Sequence, residues 1–253
     1  MKAFVCAQGG EVWHGLRGGR ITASMFEVAR QRVGELNEQQ AKFVADVRGG
    51  IAEKAAAELA GYKAVPKSEI IAKAIRGEPV GDWSEAAKNY AFRTAVERIA
   101  GKPLDDGFET WQMKRGHDLE PEARMEHEIK AGVIVEKCGF VTTEDDWFGA
   151  SADGFVGPDE GCEYKCFLSP EKLRAFWFED DASCIMDQVQ GGLWITGRKR
   201  WHVGLYCPAL APAGKQLWLK TYDRDEEYIE RLEIDLLRFR GLVMEYESKL
   251  RAA

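Results

Sequence analysis

Apolar residues recur at helical spacing through most of the first half of the chain and again at its end. The helices predicted from this spacing run over Met25–Val33, about Leu36–Leu59, Ile70–Ile75, about Trp83–Ala100, about Phe108–Lys130, about Ala182–Ile195 and about Asp225–Leu250. Gly49-Gly50 is a candidate break in the second of these helices. Ser169-Pro170 predicts one further helix start, because a hydroxyl cap is followed by proline in the first turn.

Short apolar runs separated by turn formers fill much of the later part of the chain. They predict strands at Val133–Val135, Phe140–Val141, Trp147–Ser151, Trp201–Tyr206 and Gln216–Lys220. A β-hairpin is predicted over Gly149–Cys166, with its turn in the segment Gly157-Pro158-Asp159-Glu160-Gly161. These strands are expected to continue one another as a sheet.

The predicted hairpin sorts its side chains into two sets. Side chains alternate between the two faces of a strand, so Glu163 and Lys165 share one face while Cys162 and Tyr164 share the other. The second pair is expected to point into a core. The acid and the amine are expected to point together into a cleft, where Asp153 arrives from the neighbouring strand.

Two carboxylates and an amine on one surface suit metal-assisted phosphodiester hydrolysis. The carboxylates of Asp153 and Glu163, with the backbone carbonyl of Tyr164, are oxygen ligands of the kind that Mg²⁺ or Mn²⁺ accepts. Lys165 is then available to orient the attacking water, to help deprotonate it, or to stabilise the charge that builds on phosphorus. The alternative is an ordinary hairpin with a surface Glu–Lys pair, and the D-x9-E-x-K spacing alone does not separate the two interpretations.

A second candidate site lies near the N-terminus, where glycines flank Arg17 and a Thr/Ser cluster opens a helix. Arg17, the hydroxyls of Thr22 and Ser24, and the free amides of a helix N-terminus would together bind a phosphate. The alternative is a loop with a solvated Arg17, in which Thr22 or Ser24 caps the helix.

Two further polar side chains are candidates for the cleft. Glu120 precedes Pro121, and a proline in a helical pattern predicts a helix start or a kink, which puts Glu120 at a helix N-terminus facing a metal. The alternative is a surface acid in a charged stretch. Gln188 and Gln190 are two residues apart on one predicted helix, so only one of them faces the cleft, where an amide would hold a phosphate or a water.

Composition narrows the class of protein. The 253 residues, 45% of them hydrophobic, suffice for one sizeable core, so a single domain is expected. No apolar run is long enough to span a bilayer and the N-terminus lacks a signal peptide's apolar centre, so a soluble cytoplasmic protein is expected.

The net charge of −7 argues against a protein that coats nucleic acid by bulk attraction but does not exclude a nuclease. The six scattered cysteines lack zinc-type spacing and are expected to be reduced.

The candidate residues fall within five motifs. Their order along the chain is W-H-x-L-R-x-G-x-I-T-A-S, G-x3-E-x2-A, S-x-D-G, E-x-K-C and Q-V-Q-x3-W-x-T. From Trp13 to about Tyr206 this order resembles the lambda-exonuclease family of YqaJ-like phage recombination nucleases, within the PD-(D/E)xK restriction-endonuclease-like superfamily. Five separated motifs in the correct order make this resemblance more specific than the hairpin alone.

The resemblance implies a fold, an activity and partners. The fold would be an α/β restriction-endonuclease-like core with a central mixed β-sheet flanked by helices. It would form one nuclease domain over residues 1–253, with a helical N-terminal half and a C-terminal helix. The activity would be Mg²⁺-dependent resection of linear double-stranded DNA from 5′ ends, releasing mononucleotides and leaving 3′ single strands. The resemblance also implies a homotrimeric ring that DNA threads and a single-strand annealing protein as partner.

By motif match, the resemblance also assigns residues. The catalytic and metal-binding carboxylates would be Glu120, Asp153 and Glu163, with Lys165 as the catalytic lysine. The 5′-phosphate of the substrate would be held by Arg17, Ser24, Ser151 and Gln188.

Two departures from the family pattern leave questions open. Ala152 stands where the superfamily has a proline, which performs no chemistry. The family's additional metal-binding acid would be Glu144, Asp145 or Asp146, so the count of metals stays open between one and two. The rival interpretations are an endonuclease of the same superfamily, which has no use for a terminal-phosphate pocket, and a non-catalytic DNA-binding relative.

Overall fold

The structure is a computed structural model that describes residues 1–78, 80–104, 110–166 and 169–252, without the side chain of Met113. The chain divides into two compact units, Met1–Ala29 with Tyr90–Ala253, and Arg30–Asn89. The helices among the described residues are α1 (Glu11–Arg17), α2 (Phe26–Arg30), α3 (Glu38–Arg48), α4 (Glu53–Leu59), α5 (Glu69–Ile75), α6 (Glu85–Ala100), α7 (Trp111–Ala131), α8 (Pro170–Phe178), α9 (Met186–Thr196) and α10 (Glu226–Ala252). None of these described helices is long and apolar enough to cross a membrane.

Two mixed sheets make up the centre of the first unit. The strands among the described residues are β1 (Lys2–Phe4), β2 (Ile21–Thr22), β3 (Arg32–Val33), β4 (Asp82–Trp83), β5 (Phe140–Thr142), β6 (Phe148–Ala150), β7 (Gly154–Val156), β8 (Glu160–Lys165), β9 (Arg200–Tyr206) and β10 (Leu217–Asp223). One sheet has the order β10-β9-β8-β7, in which only β8 and β9 are parallel. The other has the order β1-β5-β6-β2, in which only β2 and β6 are parallel. Helix α7 packs on the first sheet and α9 on both, so mixed sheets are flanked by helices as predicted.

The predicted hairpin is present as β7 and β8, which pair antiparallel around a turn at residues 157–159. Cys162 and Tyr164 are 0% and 7% exposed and belong to one apolar cluster. Glu163 and Lys165 alternate with them and bond to each other. The predicted division of the hairpin into a core face and a polar face is therefore confirmed.

The indole of Trp201 governs how closely α9 approaches β8. Trp201 lies on β9 and is almost fully buried. A Cβ on Gly161 of β8 or on Gly192 of α9 would overlap its ring. The Trp201 ring therefore lies between β8 and α9. Both elements can approach the ring closely because each has a glycine at the point of contact.

The N-terminal segment differs from the prediction in two places. Residues 11–17 form α1, which was not among the predicted helices; Glu11 in its first turn and Arg17 in its last suit the helix dipole. The helix predicted over Met25–Val33 ends at Arg30, and Val33 lies in β3 and is 54% exposed. Val33 has helical spacing to Phe26 and Ala29, but in the structure it pairs with Asp82 of β4 and does not continue the helix.

Helix α7 runs continuously through Pro121. The predicted helix N-terminus at Glu120 is therefore wrong, and the helix dipole does not favour an anion at that position. Proline lacks the N–H that would bond to the carbonyl of His117, but the hydrogen bonds of the neighbouring residues carry the helix across it. The predicted start of this helix, Phe108, lies outside the described residues.

The strand predicted at Val133–Val135 is also wrong. In its place, Glu136 makes an isolated bridge to Phe155 of β7. The backbone N–H of Val135 donates to the Glu128 side chain at 2.9 Å. This N–H is therefore not available for a hydrogen bond to a neighbouring strand.

The second unit, Arg30–Asn89, has a core of its own. Its α3 and α4 are two helices because the predicted long helix breaks at Gly49-Gly50, where Gly50 has a φ of +90°. Apolar side chains of α3, α4 and α5 meet in one cluster, represented by Phe43, Ala56 and Ile71. Strands β3 and β4 pair antiparallel within this unit.

Candidate active site

The polar face of the hairpin meets α9 and the start of β7. Lys165 Nζ donates to Glu163 Oε1 at 2.9 Å and to Gln188 Oε1 of α9 at 2.8 Å. Asp153, directly before β7, accepts a 2.6 Å hydrogen bond at Oδ2 from the backbone N–H of Tyr164. The structure thus brings Asp153, Glu163, Lys165 and Gln188 together. Gln190 turns away and bonds to the backbone at the end of β10, so only one of the two glutamines faces the hairpin, as predicted.

Glu120 approaches the same group from α7. Its Oε1 accepts a hydrogen bond from Arg124 Nη2 at 2.9 Å, one helical turn further on. Ala123 on the same helix is fully buried in the apolar cluster that includes Tyr164, which directs this face of α7 toward the sheet. The negative charge of Glu120 acts on Asp153, so the structure places Glu120 within electrostatic reach of the hairpin acids.

This group carries more negative charge than its own cation neutralises. Burial, followed by the negative charges of Glu163 and Glu120, raises the pKa of Asp153 well above the usual aspartate range, against the opposing effects of the Tyr164 N–H and Lys165. Burial alone would lower the pKa of Lys165, but Glu163 and Asp153 raise it on balance, which keeps the amine protonated. Three carboxylates face the Lys165 ammonium and, at Glu120, the Arg124 guanidinium, so one negative charge is in excess and the site attracts a further cation.

The donor set fits a hard divalent cation. Asp153, Glu163 and Glu120, with the carbonyl of Tyr164, offer only oxygen, the ligand type of Mg²⁺ and Mn²⁺. Among the described residues, no three His, Cys, Asp or Glu side chains are close enough to enclose a metal ion by themselves. One oxygen of Asp153 and one of Glu163 already accept hydrogen bonds from Tyr164 N–H and Lys165, so backbone oxygen and water would complete a coordination shell.

A cavity of about 220 Å³ opens beside two of these acids. It is lined by Asp153 and Glu120 together with polar side chains that include Gln8, His117 and Lys137. Glu163 and Lys165 were expected to line such a cleft but do not line this cavity, and Glu163 is buried. The reason is that α9 covers their face of β8 and fills the space with Gln188.

Arg17 lies at the end of α1 among hydroxyl groups. Its Nη2 donates to Ser24 Oγ at 3.1 Å and to Thr22 Oγ1 at 3.3 Å, so Thr22 receives Arg17 and makes no side-chain cap bond. The guanidinium lies 4.3 Å from the centre of the Trp13 ring. Trp13 Nε1 donates to Ser151 Oγ at 2.7 Å. The structure therefore links three of the four residues of the predicted phosphate set.

No carboxylate of the described residues forms an ion pair with Arg17. Burial lowers the pKa of Arg17, while the charges of Tyr90, Glu163 and Glu97 oppose that shift. A half-buried guanidinium that donates to hydroxyls is suited to an anion, because a phosphate would supply the missing charge and accept its N–H groups in pairs.

Sequence reasoning missed the side chains that hold this pocket in shape. Tyr90 Oη accepts from the backbone N–H of Thr22 at 3.0 Å, and the buried carboxylate of Glu97 accepts from Gly19 N–H at 2.9 Å. Both lie on α6, whose helical pattern gave no sign of a polar role. Trp13, by contrast, stands inside the first sequence motif, four residues before Arg17 on a helical segment, and that spacing was a usable signal.

The three acids considered for an additional metal ligand lie outside this group. Asp145 pairs with Arg240 of α10 at 3.0 Å. Asp146 pairs with a lysine of β1, and Glu144 with the N-terminal amine. None of them is among the main charges that act on Asp153. The ion pairs of these acids connect the turn between β5 and β6 to the N-terminal strand and to α10.

Solved structures share this architecture. An alkaline exonuclease (LHK-Exo) from Laribacter hongkongensis superposes with a TM-score of 0.68 at 20% identity, over 96% of this chain and 97% of that chain. LHK-Exo in complex with dAMP gives a TM-score of 0.66 at 22% identity, over 96% and 97% of the two chains. A phage-related exonuclease from Haemophilus somnus 129PT gives 0.50 at 17% identity, over 74% of this chain and 89% of that one. At these identities the likeness shows the fold, and the predicted restriction-endonuclease-like α/β class is confirmed.

The sequence identifies the family within this fold class. Residues 12–199 match the YqaJ-like viral recombinase domain, which covers most of the chain. The protein belongs to the YqaJ-like viral recombinase family, and the family predicted from the five motifs is confirmed. No curated protein gives a significant sequence match.

Proposed function

We propose that this protein is a Mg²⁺-dependent 5′→3′ exonuclease acting on linear double-stranded DNA. It releases 5′-mononucleotides and leaves 3′ single strands for recombination by strand annealing. Membership of the viral recombinase family, together with a fold that exonucleases share, supports a DNA exonuclease.

The observation that carries this proposal is the proximity of an anion pocket to the acid–lysine group. Arg17 donates to Ser24 within the pocket, and Ser151 stands two residues before Asp153 on the same segment. The charge of Glu163 acts on Arg17, so the pocket and the carboxylates are within electrostatic reach. A terminal 5′-phosphate held at Arg17 lies beside the group that cuts the next phosphodiester bond. Each cut then leaves a new 5′-phosphate for the same pocket.

Asp153, Glu163 and Glu120, with the carbonyl of Tyr164, hold the divalent cation, which is Mg²⁺ or Mn²⁺. When bound, this cation supplies Lewis-acid stabilisation of the charge that develops at the scissile phosphate. The N–H of Tyr164 fixes one oxygen of Asp153, and Arg124 fixes one oxygen of Glu120. The remaining oxygens of both acids are left for the cation.

Lys165 stabilises negative charge and orients the nucleophile. An ammonium has three N–H donors, and Lys165 uses two of them on Glu163 and Gln188. The third is available for the attacking water or for an oxygen of the scissile phosphate. Gln188 accepts from Lys165 through its carbonyl oxygen, which leaves its NH₂ group for the terminal phosphate. Gln188 thus connects the pocket to the catalytic lysine.

The resemblance to the family supports the proposed assembly. A homotrimeric ring threaded by DNA, a single-strand annealing partner and one nuclease domain over residues 1–253 are proposed on that ground. With a net charge of −7, the protein holds DNA through local cations such as Arg17, and not through bulk attraction.

Three DNAs test the reaction: a linear duplex with 5′-phosphates, the same duplex with 5′-hydroxyls, and a closed circle. Purified protein is mixed with each in Mg²⁺, and acid-soluble nucleotides are measured over time. We expect fast release of mononucleotides from the phosphorylated duplex, slower release from the hydroxyl duplex and no change in the circle.

The other outcomes identify the rival functions. Nicking or linearisation of the circle would replace the exonuclease with an endonuclease of the same fold. Binding of the duplex without cleavage, over a range of Mg²⁺ and Mn²⁺ concentrations and with the fold intact, would leave a non-catalytic DNA-binding protein.

A further inference from the structure

A continuous chain of hydrogen bonds lies behind the catalytic strand, on the face of β8 that points into the core. The Tyr164 hydroxyl is 2.8 Å from His127 Nδ1, His127 Nε2 is 3.2 Å from His202 Nδ1, and His202 Nε2 is 2.6 Å from Glu160 Oε2. Both histidines and Tyr164 are buried. Glu160 and Tyr164 lie on the opposite face of β8 from Glu163 and Lys165.

The carboxylate at one end gives this chain a direction when both rings are neutral. With both rings neutral, His202 donates from Nε2 to Glu160 and accepts at Nδ1, which also has Thr221 Oγ1 at 3.3 Å. His127 must then donate from Nε2, which leaves its Nδ1 to accept from the Tyr164 hydroxyl. Burial and the neighbouring His202 lower the pKa of His127 to about 4, in agreement with a neutral ring. All three bonds therefore run in one direction and each has one donor and one acceptor.

The chain joins the two elements that carry the proposed metal ligands. His127 lies on α7 seven residues after Glu120, which puts the two side chains on one face of the helix, two turns apart. Tyr164 lies on β8 directly after Glu163, and its N–H holds Asp153. A shift of Tyr164 relative to His127 would therefore change the spacing between Glu120 and the hairpin acids.

Directional bonds fix this spacing more tightly than apolar packing alone. Hydrogen bonds weaken steeply when their length or angle departs from the optimum, and partners linked in series reinforce one another. The apolar contacts around Tyr164, with Ala123 among them, tolerate small sliding movements, but the bond to His127 does not.

We propose that Tyr164, His127 and His202 are positioning residues that hold α7 against β8 and thereby set the affinity of the Glu120–Asp153–Glu163 group for a divalent cation. This inference rests on the proposed function, because it assumes that those three acids bind the metal. Groups that orient metal ligands from behind contribute about 10- to 100-fold to metal affinity in other proteins.

Tyr164→Phe tests the proposal with the smallest change. It removes one hydroxyl and leaves in place the ring, the backbone carbonyl and the N–H that bonds to Asp153. His127→Leu interrupts the chain at its centre. Val243→Ala, buried in α10, is the control for a general loss of packing. Binding of Mn²⁺ without DNA is measured by calorimetry, and nuclease activity is measured against Mg²⁺ concentration.

We expect Tyr164→Phe and His127→Leu to weaken Mn²⁺ binding by about 10- to 100-fold. The half-saturating Mg²⁺ concentration should rise by a similar factor in both variants, and kcat of His127→Leu at saturating Mg²⁺ should be close to that of the wild type. Val243→Ala should melt at a lower temperature and bind Mn²⁺ like the wild type.

Wild-type Mn²⁺ affinity in folded Tyr164→Phe, with only its melting temperature reduced, would overturn the inference and leave the proposed function standing. Absence of Mn²⁺ binding by the wild type would overturn the metal site itself, and the inference with it. If His127→Leu fails to fold, Tyr164→Phe decides the question alone.

Discussion

Replacing Arg17 with alanine should remove the preference for 5′-phosphorylated ends. Arg17 is the cation of the pocket, it donates to Ser24 and Thr22, and no carboxylate among the described residues pairs with it. A 5′-phosphate would therefore lose its charged partner in this variant, whereas a 5′-hydroxyl end would lose little.

The expected size of the effect follows from the contacts that Arg17 makes. Hydrogen bonds to charged groups contribute about 1.5–3 kcal/mol each, which corresponds to about 10- to 150-fold in relative rate. Arg17→Lys should fall between the wild type and Arg17→Ala, because lysine keeps the charge but loses both the planar fork and the stacking on Trp13, 4.3 Å away.

The assay compares kcat/KM on one duplex prepared with 5′-phosphate or 5′-hydroxyl ends. Arg174→Ala is the matched control. Arg174 is an exposed arginine of α8 and pairs with Glu179, which directly follows that helix. The measured quantity is the ratio of the two kcat/KM values, which cancels any difference in active protein between preparations.

An unchanged ratio in Arg17→Ala would refute the assignment of Arg17 to the terminal phosphate. An equal fall in kcat/KM on both substrates would also refute it, because that result would mean that Arg17 supports the fold of the site and does not recognise the end.

Three further predictions concern the acid–lysine group and the support of the pocket. Lys165→Ala should abolish turnover and leave duplex binding in Ca²⁺ largely intact; retained turnover would remove Lys165 from the mechanism. In EDTA, Asp153→Asn should melt above the wild type, because the folded pKa of Asp153 exceeds the unfolded one and its charge opposes folding at any pH above the usual aspartate range. That difference should shrink as the pH falls through the range between the two pKa values, and a difference independent of pH would contradict the argument. Trp13→Phe keeps a ring beside Arg17 but removes the N–H that bonds to Ser151, so it should reduce the 5′-phosphate preference less than Arg17→Ala does. An effect equal to that of Arg17→Ala would show that the indole holds Arg17 itself.

The parts of the site that rest on local periodicity were predictable from the sequence. The alternation of Cys162, Glu163, Tyr164 and Lys165 specifies two faces as soon as the segment is known to be a strand. For the same reason, the two-residue spacing of Gln188 and Gln190 allowed only one of them to face the hairpin.

The parts that depend on tertiary contacts were not predictable from local pattern. Helix α1 was not predicted, and the partners of its Trp13 and Arg17, Ser151 and Ser24, lie elsewhere in the chain. Pro121 predicted a helix start or a kink, but the packing of α7 on the sheet outweighs the one backbone bond that proline removes. The support from Tyr90 and Glu97 joins residues more than sixty positions apart, and no local rule connects such positions.

The glycines on either side of Trp201 have a consequence for how this enzyme can diverge. Neither Gly161 nor Gly192 is in the proposed catalytic or phosphate set, but a methyl group at either would meet the indole and push α9, with Gln188, away from β8. In a library in which every position is randomised, substitutions at Gly161 and Gly192 should be depleted as strongly as substitutions at Lys165. Only a simultaneous change to a smaller residue at Trp201 should restore tolerance. In evolution, a substitution at Gly161 or Gly192 therefore has to accompany or follow a change at Trp201, which links the three positions.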